Sequence, residues 1–238
     1  MMKERSIKNC TDITCPSCGS TKVKMIRGEI SKTSSLQECS CDACHCDFII
    51  STGSTHIKHE EQHIRDEPSM DAIEALLTRR SIRHFKPGRI KDEDIKCILE
   101  AGMSAPSAGN EQPWHFIVID NVDILNEIPS FHNHAEMLKE ASVGILVCND
   151  MNLVRHGEMW IQDCSAATQN ILIAIHSRHL GGVWLGVYPR VERMNGLKKL
   201  LKIPAHIIPF SLVAIGYPAE HKPYINRYNQ SRVHYNTW

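Results

Sequence analysis

Arg79-Arg80-Ser81-Ile82-Arg83-His84-Phe85 and, further on, Ala105-Pro106-Ser107-Ala108-Gly109-Asn110-Glu111-Gln112-Pro113-Trp114-His115-Phe116 decide how the larger part of this chain is read. The first run crowds fork-shaped cations and a hydroxyl into one short segment, a donor set that suits an anion better than a routine helix end. The second is a proline-bounded turn that carries Ser107, Asn110 and Gln112 ahead of an apolar run. Outward from the arginines, Met70, Ile73, Leu76 and Leu77 recur at helical spacing behind Ser69, the predicted N-cap. A second amphipathic helix is predicted from about Lys91, burying Ile95, Ile98, Leu99 and Met103. The two helices bracket the arginine run.

Four apolar runs read as buried strands: 116–120, 142–148, 182–187 and 208–215. Between the second and third, 159–179 reads as a long helix with Cys164, Ala167, Ile171 and Ile175 on one face. Strands alternating with helices make this part α/β or α+β. There is no internal repeat and no low-complexity tract.

The chain has 238 residues, and seven of its ten cysteines precede residue 47. That asymmetry predicts a small cysteine module over 1–52, a linker over 53–68 and a larger domain over 69–238. A formal net charge of zero gives no broad field toward nucleic acid or an anionic membrane. The first ten residues lack the apolar core of a secretory signal, and the longest apolar runs fall short of a membrane span. The expectation is a cytoplasmic protein.

Cytosolic thiols are kept reduced, so the clustered cysteines point to a metal rather than disulfides. Cys15-Pro-Ser-Cys18 and Cys41-Asp-Ala-Cys44 each turn tightly enough to aim two thiolates at one cation, and together they complete a sulfur tetrahedron. A module this small buries too little apolar area to fold unaided, so the metal would supply much of its folding energy. With 22 residues between Cys18 and Cys41, the spacing resembles a zinc ribbon. Zinc is therefore expected; a single rubredoxin-type iron is the alternative, since sulfur tetrahedra hold either. Cys10, Cys39 and Cys46 are surplus thiols, and because Cys39 and Cys46 each lie two residues from a proposed ligand, a shifted register stays open. Cys97, Cys148 and Cys164 read as small core hydrophobes. His56, His59 and His63 fall in a polar stretch that reads as a solvated connector.

On the arginine run, the 106–114 turn, Gly216-Tyr217-Pro218 and Arg227, the stretch from Met70 to Trp238 resembles the nitroreductase family of FMN enzymes. The resemblance implies a mostly antiparallel central sheet flanked by helices, and a homodimer. It implies that Arg79, Ser81 and Arg227 hold the FMN phosphate, that Arg80 lends contacts beside them, and that Arg83 approaches the pyrimidine edge of the ring. Pro106, Ser107, Asn110 and Gln112 would reach the ribityl chain and ring edge from the other subunit. Gly186, in Leu185-Gly186-Val187-Tyr188-Pro189, would bring a backbone amide to flavin N5; a structural glycine at a strand end is the competing reading. These residue types match the ligand, which offers a phosphate dianion, a polyhydroxyl chain and a ring edge that turns negative on reduction.

The resemblance further implies ping-pong transfer of hydride from NAD(P)H through the flavin to an electron-poor small molecule such as a nitroaromatic or quinone. The flavin carries that chemistry, so no catalytic side chain is expected. Two other readings stay open. One is an electron-transfer fusion in which N-terminal iron and a protein redox partner exchange electrons with the flavin. The other is a non-catalytic flavin-bearing sensor whose ribbon recruits a partner.

Overall fold

A computed structural model of the chain describes residues 70–238 and, ahead of them, the backbone of four strands within 23–57. The chain divides into two compact units, 1–68 and 69–238, each of which is described by itself.

In the first unit, β1 (Val23–Ile30), β2 (Ser35–Cys41), β3 (Asp47–Ser51) and β4 (Ser54–Ile57) form an antiparallel meander in sequence order. The run from Ser54 to Ile57, expected to open a linker, instead pairs with β3, so the sheet extends past residue 52. Of the four proposed ligands, Cys15, Cys18 and Cys44 lie outside the described residues, and Cys41 is seen as the last residue of β2.

The second unit runs α1 (Ala72–Thr78), β5 (Phe85–Lys86), α2 (Asp92–Met103), β6 (Trp114–Ile119), α3 (Val122–Glu127), β7 (Val143–Asp150), α4 (Trp160–Ser177), β8 (Gly181–Gly186), α5 (Val191–Leu200) and β9 (Ile207–Pro218). The strand order is β5-β9-β7-β6, with β8 also on β9, and every strand pairing is antiparallel. The sheet is thus of the α+β kind.

β9 organises this sheet. Its alternate residues feed two cores: Val213 and Ile215 face the core that holds Ile171 and Ile175 of α4, while Leu212 and Ala214 face the core that holds Leu125 of α3 and Leu197 of α5. Successive strand side chains point to opposite faces, and here both faces are covered, which is why the run reads as continuously apolar. The predicted face of α4 is buried as its spacing implies, with Cys164, Ala167, Ile171 and Ile175 all in the core.

Two expectations about helices need correction. α1 is capped by Asp71, whose carboxylate accepts the Ile73 and Glu74 amides at 2.9 and 3.2 Å, rather than by Ser69. In α2, Ile98 is buried but Met103 is 53% exposed. The residue facing α4 in the last turn is Gly102, where a Cβ would lie 2.9 Å from Ile171 Cγ1, and Met103 sits about 100° further round the helix.

Candidate functional site

Beyond α1 the chain runs extended along the outer edge of β8. The Ile82 amide donates to the Gly182 carbonyl at 3.1 Å, and Ser81 bridges Gly182 in parallel. Gly181 permits this approach, since a Cβ there would meet Ile82 Cγ2 at 2.8 Å. After β9 the tail folds back over the same segment. The Ala219 amide donates to the His84 carbonyl at 2.9 Å, and Glu220 Oε1 accepts the Arg83 amide at 2.6 Å. Lys222 Nζ donates to the Ser81 carbonyl at 2.7 Å, and the Arg80 guanidinium to the Pro223 carbonyl at 2.5 Å. The Arg83 amide, with help from Lys222, outweighs burial and holds the Glu220 carboxyl below its usual range.

This lacing brings the Arg227 charge to bear on Arg79. Burial first, then the charges of Arg227 and Arg80, lower the Arg79 pKa, so its electrostatic neighbours are guanidiniums. A guanidinium keeps its proton in proteins, and the repulsion is therefore held as a positive field. The field reaches His176, whose Nε2 lies 2.8 Å from Thr78 Oγ1 and whose pKa is lowered by burial and then by Arg79. Such a cluster favours a multiply charged anion.

Arg83 lies on a cleft of about 440 Å³ together with His132, Trp184, Gly186 and Arg193. Gly186 ends β8, and a Cβ built there would meet nothing within 4 Å among the described residues, so their packing does not demand a glycine. Its carbonyl accepts from His132 Nε2 at 3.1 Å and from Arg193 at 2.6 Å. His132 is fully buried; the His134 amide reaches its Nδ1 at 3.4 Å, which assigns the neutral ring with its proton on Nε2. Burial, and next the Arg193 charge, push the His132 pKa down.

Ser107, Asn110 and Gln112 meet in one turn after α2. Ser107 Oγ accepts the Gln112 amide at 3.0 Å, and Gln112 Nε2 donates to Asn110 Oδ1 at 2.9 Å. Gly109, Asn110 and Gln112 all take left-handed φ, at 56°, 55° and 47°. The turn is tied down from both sides. The Ala108 amide donates to Asp163 Oδ1 of α4 at 3.0 Å, and the Glu111 side chain, 4% exposed, accepts from the Arg155 amide at 2.6 Å and from His156 Nδ1 at 2.7 Å. Burial alone would raise the Glu111 carboxyl, but the bonds from His156 and the Arg155 amide win and lower it. The polar groups of the turn are thus partly spent locally, while the Ser107 hydroxyl, the Asn110 amide nitrogen and Gln112 Oε1 keep capacity for a ligand. Pro106 is exposed at its start.

The structure therefore gathers Arg79, Arg80 and Arg227 with Ser81 alongside, and separately places Arg83 and Gly186 on one cleft. Sequence reasoning missed Glu220 and Lys222, which lace the tail to the arginine strand, and His132 and Arg193, which hold Gly186. No local pattern marks them: Glu220, Lys222 and His132 act on backbone groups distant in sequence, and Arg193 on a carbonyl seven residues before it, across a turn.

These features define an α+β domain built around an anion-seeking arginine cluster and a strand edge that opens on a cleft. The profile of the nitroreductase family matches residues 76–132 and 130–217, and the chain belongs to that family. It is 46% identical over 186 residues to a Methanothermobacter thermautotrophicus protein provisionally named NADH dehydrogenase/NAD(P)H nitroreductase, a match spanning 78% of this chain and 97% of the relative. A Parabacteroides distasonis structure with the same provisional name has a TM-score of 0.67 at 37% identity, covering 70% of this chain and 98% of its own. A Desulfovibrio desulfuricans protein provisionally named a nitroreductase, solved in complex with FMN, has a TM-score of 0.62 at 31% identity, covering 71% of this chain and 98% of its own.

Proposed function

We propose that this chain is an FMN-dependent NAD(P)H oxidoreductase that reduces an electron-poor small molecule, a nitroaromatic or quinone being the expected class. The observation that carries the reading is the Arg79–Arg227–Arg80 cluster, a positive field centred on the partly buried Arg79 and suited to a phosphate dianion. Relatives named as NAD(P)H nitroreductases, and one solved with FMN, support it.

The residues fit the cofactor. Arg79 and Arg227 would hold the phosphate with the Ser81 hydroxyl, and Arg80 braces the tail that delivers Arg227. Arg83 would place a positive charge at the ring edge, and the bare face of Gly186 leaves room for a flat group to lie against the backbone. Bound FMN would supply the hydride chemistry, accepting from NAD(P)H and delivering to the second substrate. No side-chain nucleophile or acid is required of the protein.

In a homodimer, Pro106, Ser107, Asn110 and Gln112 of one subunit would complete the site of the other. Ile73, Leu76 and Leu77 of α1 are 61%, 49% and 57% exposed, an apolar face that association would cover. Among the described residues, no helix is long and apolar enough to cross a membrane, and the reading is of a cytoplasmic enzyme. At the N-terminus, Cys15, Cys18, Cys41 and Cys44 would bind one structural zinc, with iron as the rival.

The test is aerobic purification followed by absorbance, elemental analysis and NAD(P)H oxidation with menadione. Yellow protein releasing FMN, with zinc and turnover, is expected. Recovered FAD, or colourless protein that FMN does not reconstitute, would reject the assignment; iron bleached by reduced flavin would favour the electron-transfer fusion.

A further inference from the structure

We propose that Arg193 is a specificity-determining residue whose guanidinium offers a carboxylate-binding fork in the cleft, so that the electron-poor molecule this chain reduces is an organic anion, an aromatic carboxylate being the simplest case. The inference rests on the flavin reading above and deepens it by naming the substrate class.

Arg193 lies in the first turn of α5 and lines the cleft of about 440 Å³ together with Arg83, His134 and Gly186. In the flavin reading Arg83 already has a task, at the ring edge that turns negative on reduction. Arg193 has none there, and a second guanidinium in one cleft calls for a second negative group. Its charge is felt within the cleft wall, because after burial it is the next cause that pushes the His132 pKa down. Glu136, the carboxylate among the lining residues, lies 2.7 Å from Lys139 Nζ and so has its own cation. Arg193 has no carboxylate partner among the described residues.

The orientation of the fork is also set. Arg193 Nη1 donates to the Gly186 carbonyl at 2.6 Å, and His132 Nε2 lies 3.1 Å from the same oxygen. A long arginine side chain normally loses much rotamer freedom when it binds a ligand, and a side chain already tethered at one nitrogen loses less. Nε and Nη2 donate to no described residue. Those two N–H groups share one edge of the planar guanidinium, spaced for two parallel hydrogen bonds to a carboxylate. Because Arg193 is half-buried, water screens its charge less than it would on an open surface.

The experiment compares 4-nitrobenzoate with the neutral 4-nitrobenzamide, nearly the same in shape, using the FMN-loaded full chain and its Arg193→Met and Arg193→Lys variants. Carboxylate and amide withdraw electrons unequally, so the readout is the change between proteins in the benzoate-to-benzamide ratio of kcat/KM. Taking the ratio within each variant also cancels whatever loss of the Gly186 contact does to the flavin site. Arg193→Met is expected to lower the ratio about tenfold, the effect of one charge-assisted hydrogen bond, through a higher KM for the benzoate. Arg193→Lys, which keeps the charge without the fork, should lower it less. A second readout needs no turnover: benzoate, but not benzamide, should shift the Arg193 Nε–H resonance of the wild-type protein. An unchanged ratio in Arg193→Met overturns the inference, as does an unmoved resonance. A raised KM for NAD(P)H with the acceptor ratio unmoved overturns it too, and gives the guanidinium to the phosphates of the hydride donor. If the wild-type chain binds no FMN, the flavin reading falls, and the resonance alone then judges whether Arg193 holds a carboxylate.

Discussion

Among single residues, Arg79 and His132 show how burial gives a side chain a task. Arg79 shares its surroundings with Arg227 and Arg80, so its charge is costly until an anion arrives. Arg79→Ala should weaken FMN binding by about 1.5 to 3 kcal/mol, tenfold or more, and shrink the rise in Tm that FMN produces, because FMN stabilises only the folded state. Titration of FMN into both proteins, with thermal melts, checks this; unchanged flavin occupancy would contradict the role. His132 makes a prediction about pH. Its folded pKa lies below the ordinary 6.5, so the unfolded chain takes up the proton first as pH falls. Its contribution to stability is full above 6.5 and is lost as pH drops through and below that value. His176 acts with the same sign. His132→Gln should therefore show a shallower fall in Tm between about pH 7.5 and about pH 5.5, measured at fixed ionic strength. The arginines stand out in the sequence as a run; His132 does not, since a histidine in an irregular connection carries no periodic pattern.

Elements meet at two tight joints. At Gly216 of β9 a Cβ would fall 2.8 to 2.9 Å from three side-chain atoms of Phe85, so β5 closes onto β9 only because that position is bare. Gly216→Ala should cost about 1 to 3 kcal/mol through overpacking, read by urea unfolding. It should also loosen the arginine strand that leads into β5. The second joint is the turn between α2 and β6, which Glu111 ties to Arg155 and His156. Glu111→Ala leaves those donors without an acceptor, and hydrogen exchange at the 107–112 amides should rise while the core strands keep their protection. β6 to β9 and α4 were legible to within a few residues because their apolar periods run long, whereas the two-residue β5 was not predicted. The cap of α1 was misplaced, and Met103 was assigned to the core, because helix ends depend on which neighbour arrives there.

For the whole molecule, the compact unit from Ser69 to Trp238 contains every proposed FMN contact. Removing residues 1–66 should leave FMN binding and NAD(P)H-driven reduction of small acceptors largely intact, while Cys41→Ser should cost the metal and expose the first unit to proteolysis. Normal FMN binding with lost turnover in the truncated protein would instead favour electron transfer through the N-terminal unit. Sedimentation of the same unit should report a homodimer; a monomer retaining full flavin and activity would remove the proposed contribution of Ser107, Asn110 and Gln112 from a second subunit.

What the amino-acid sequence determined alone was composition and period: which runs are strands, which face of α4 is buried, and that a dense set of arginines precedes a polar turn. Those are local properties, set by side-chain type and by the repeat of helix or strand. Only the tertiary structure decided that Glu220, Lys222 and Pro223 return to the arginine strand and bring the Arg227 charge to bear on Arg79, and that His132 and Arg193 converge on one glycine carbonyl. Apart from Arg193, which is seven residues from Gly186, the hydrogen bonds concerned join groups far apart in the chain through a backbone atom. Every residue carries the same backbone atoms, so no side-chain pattern announces which one will be met.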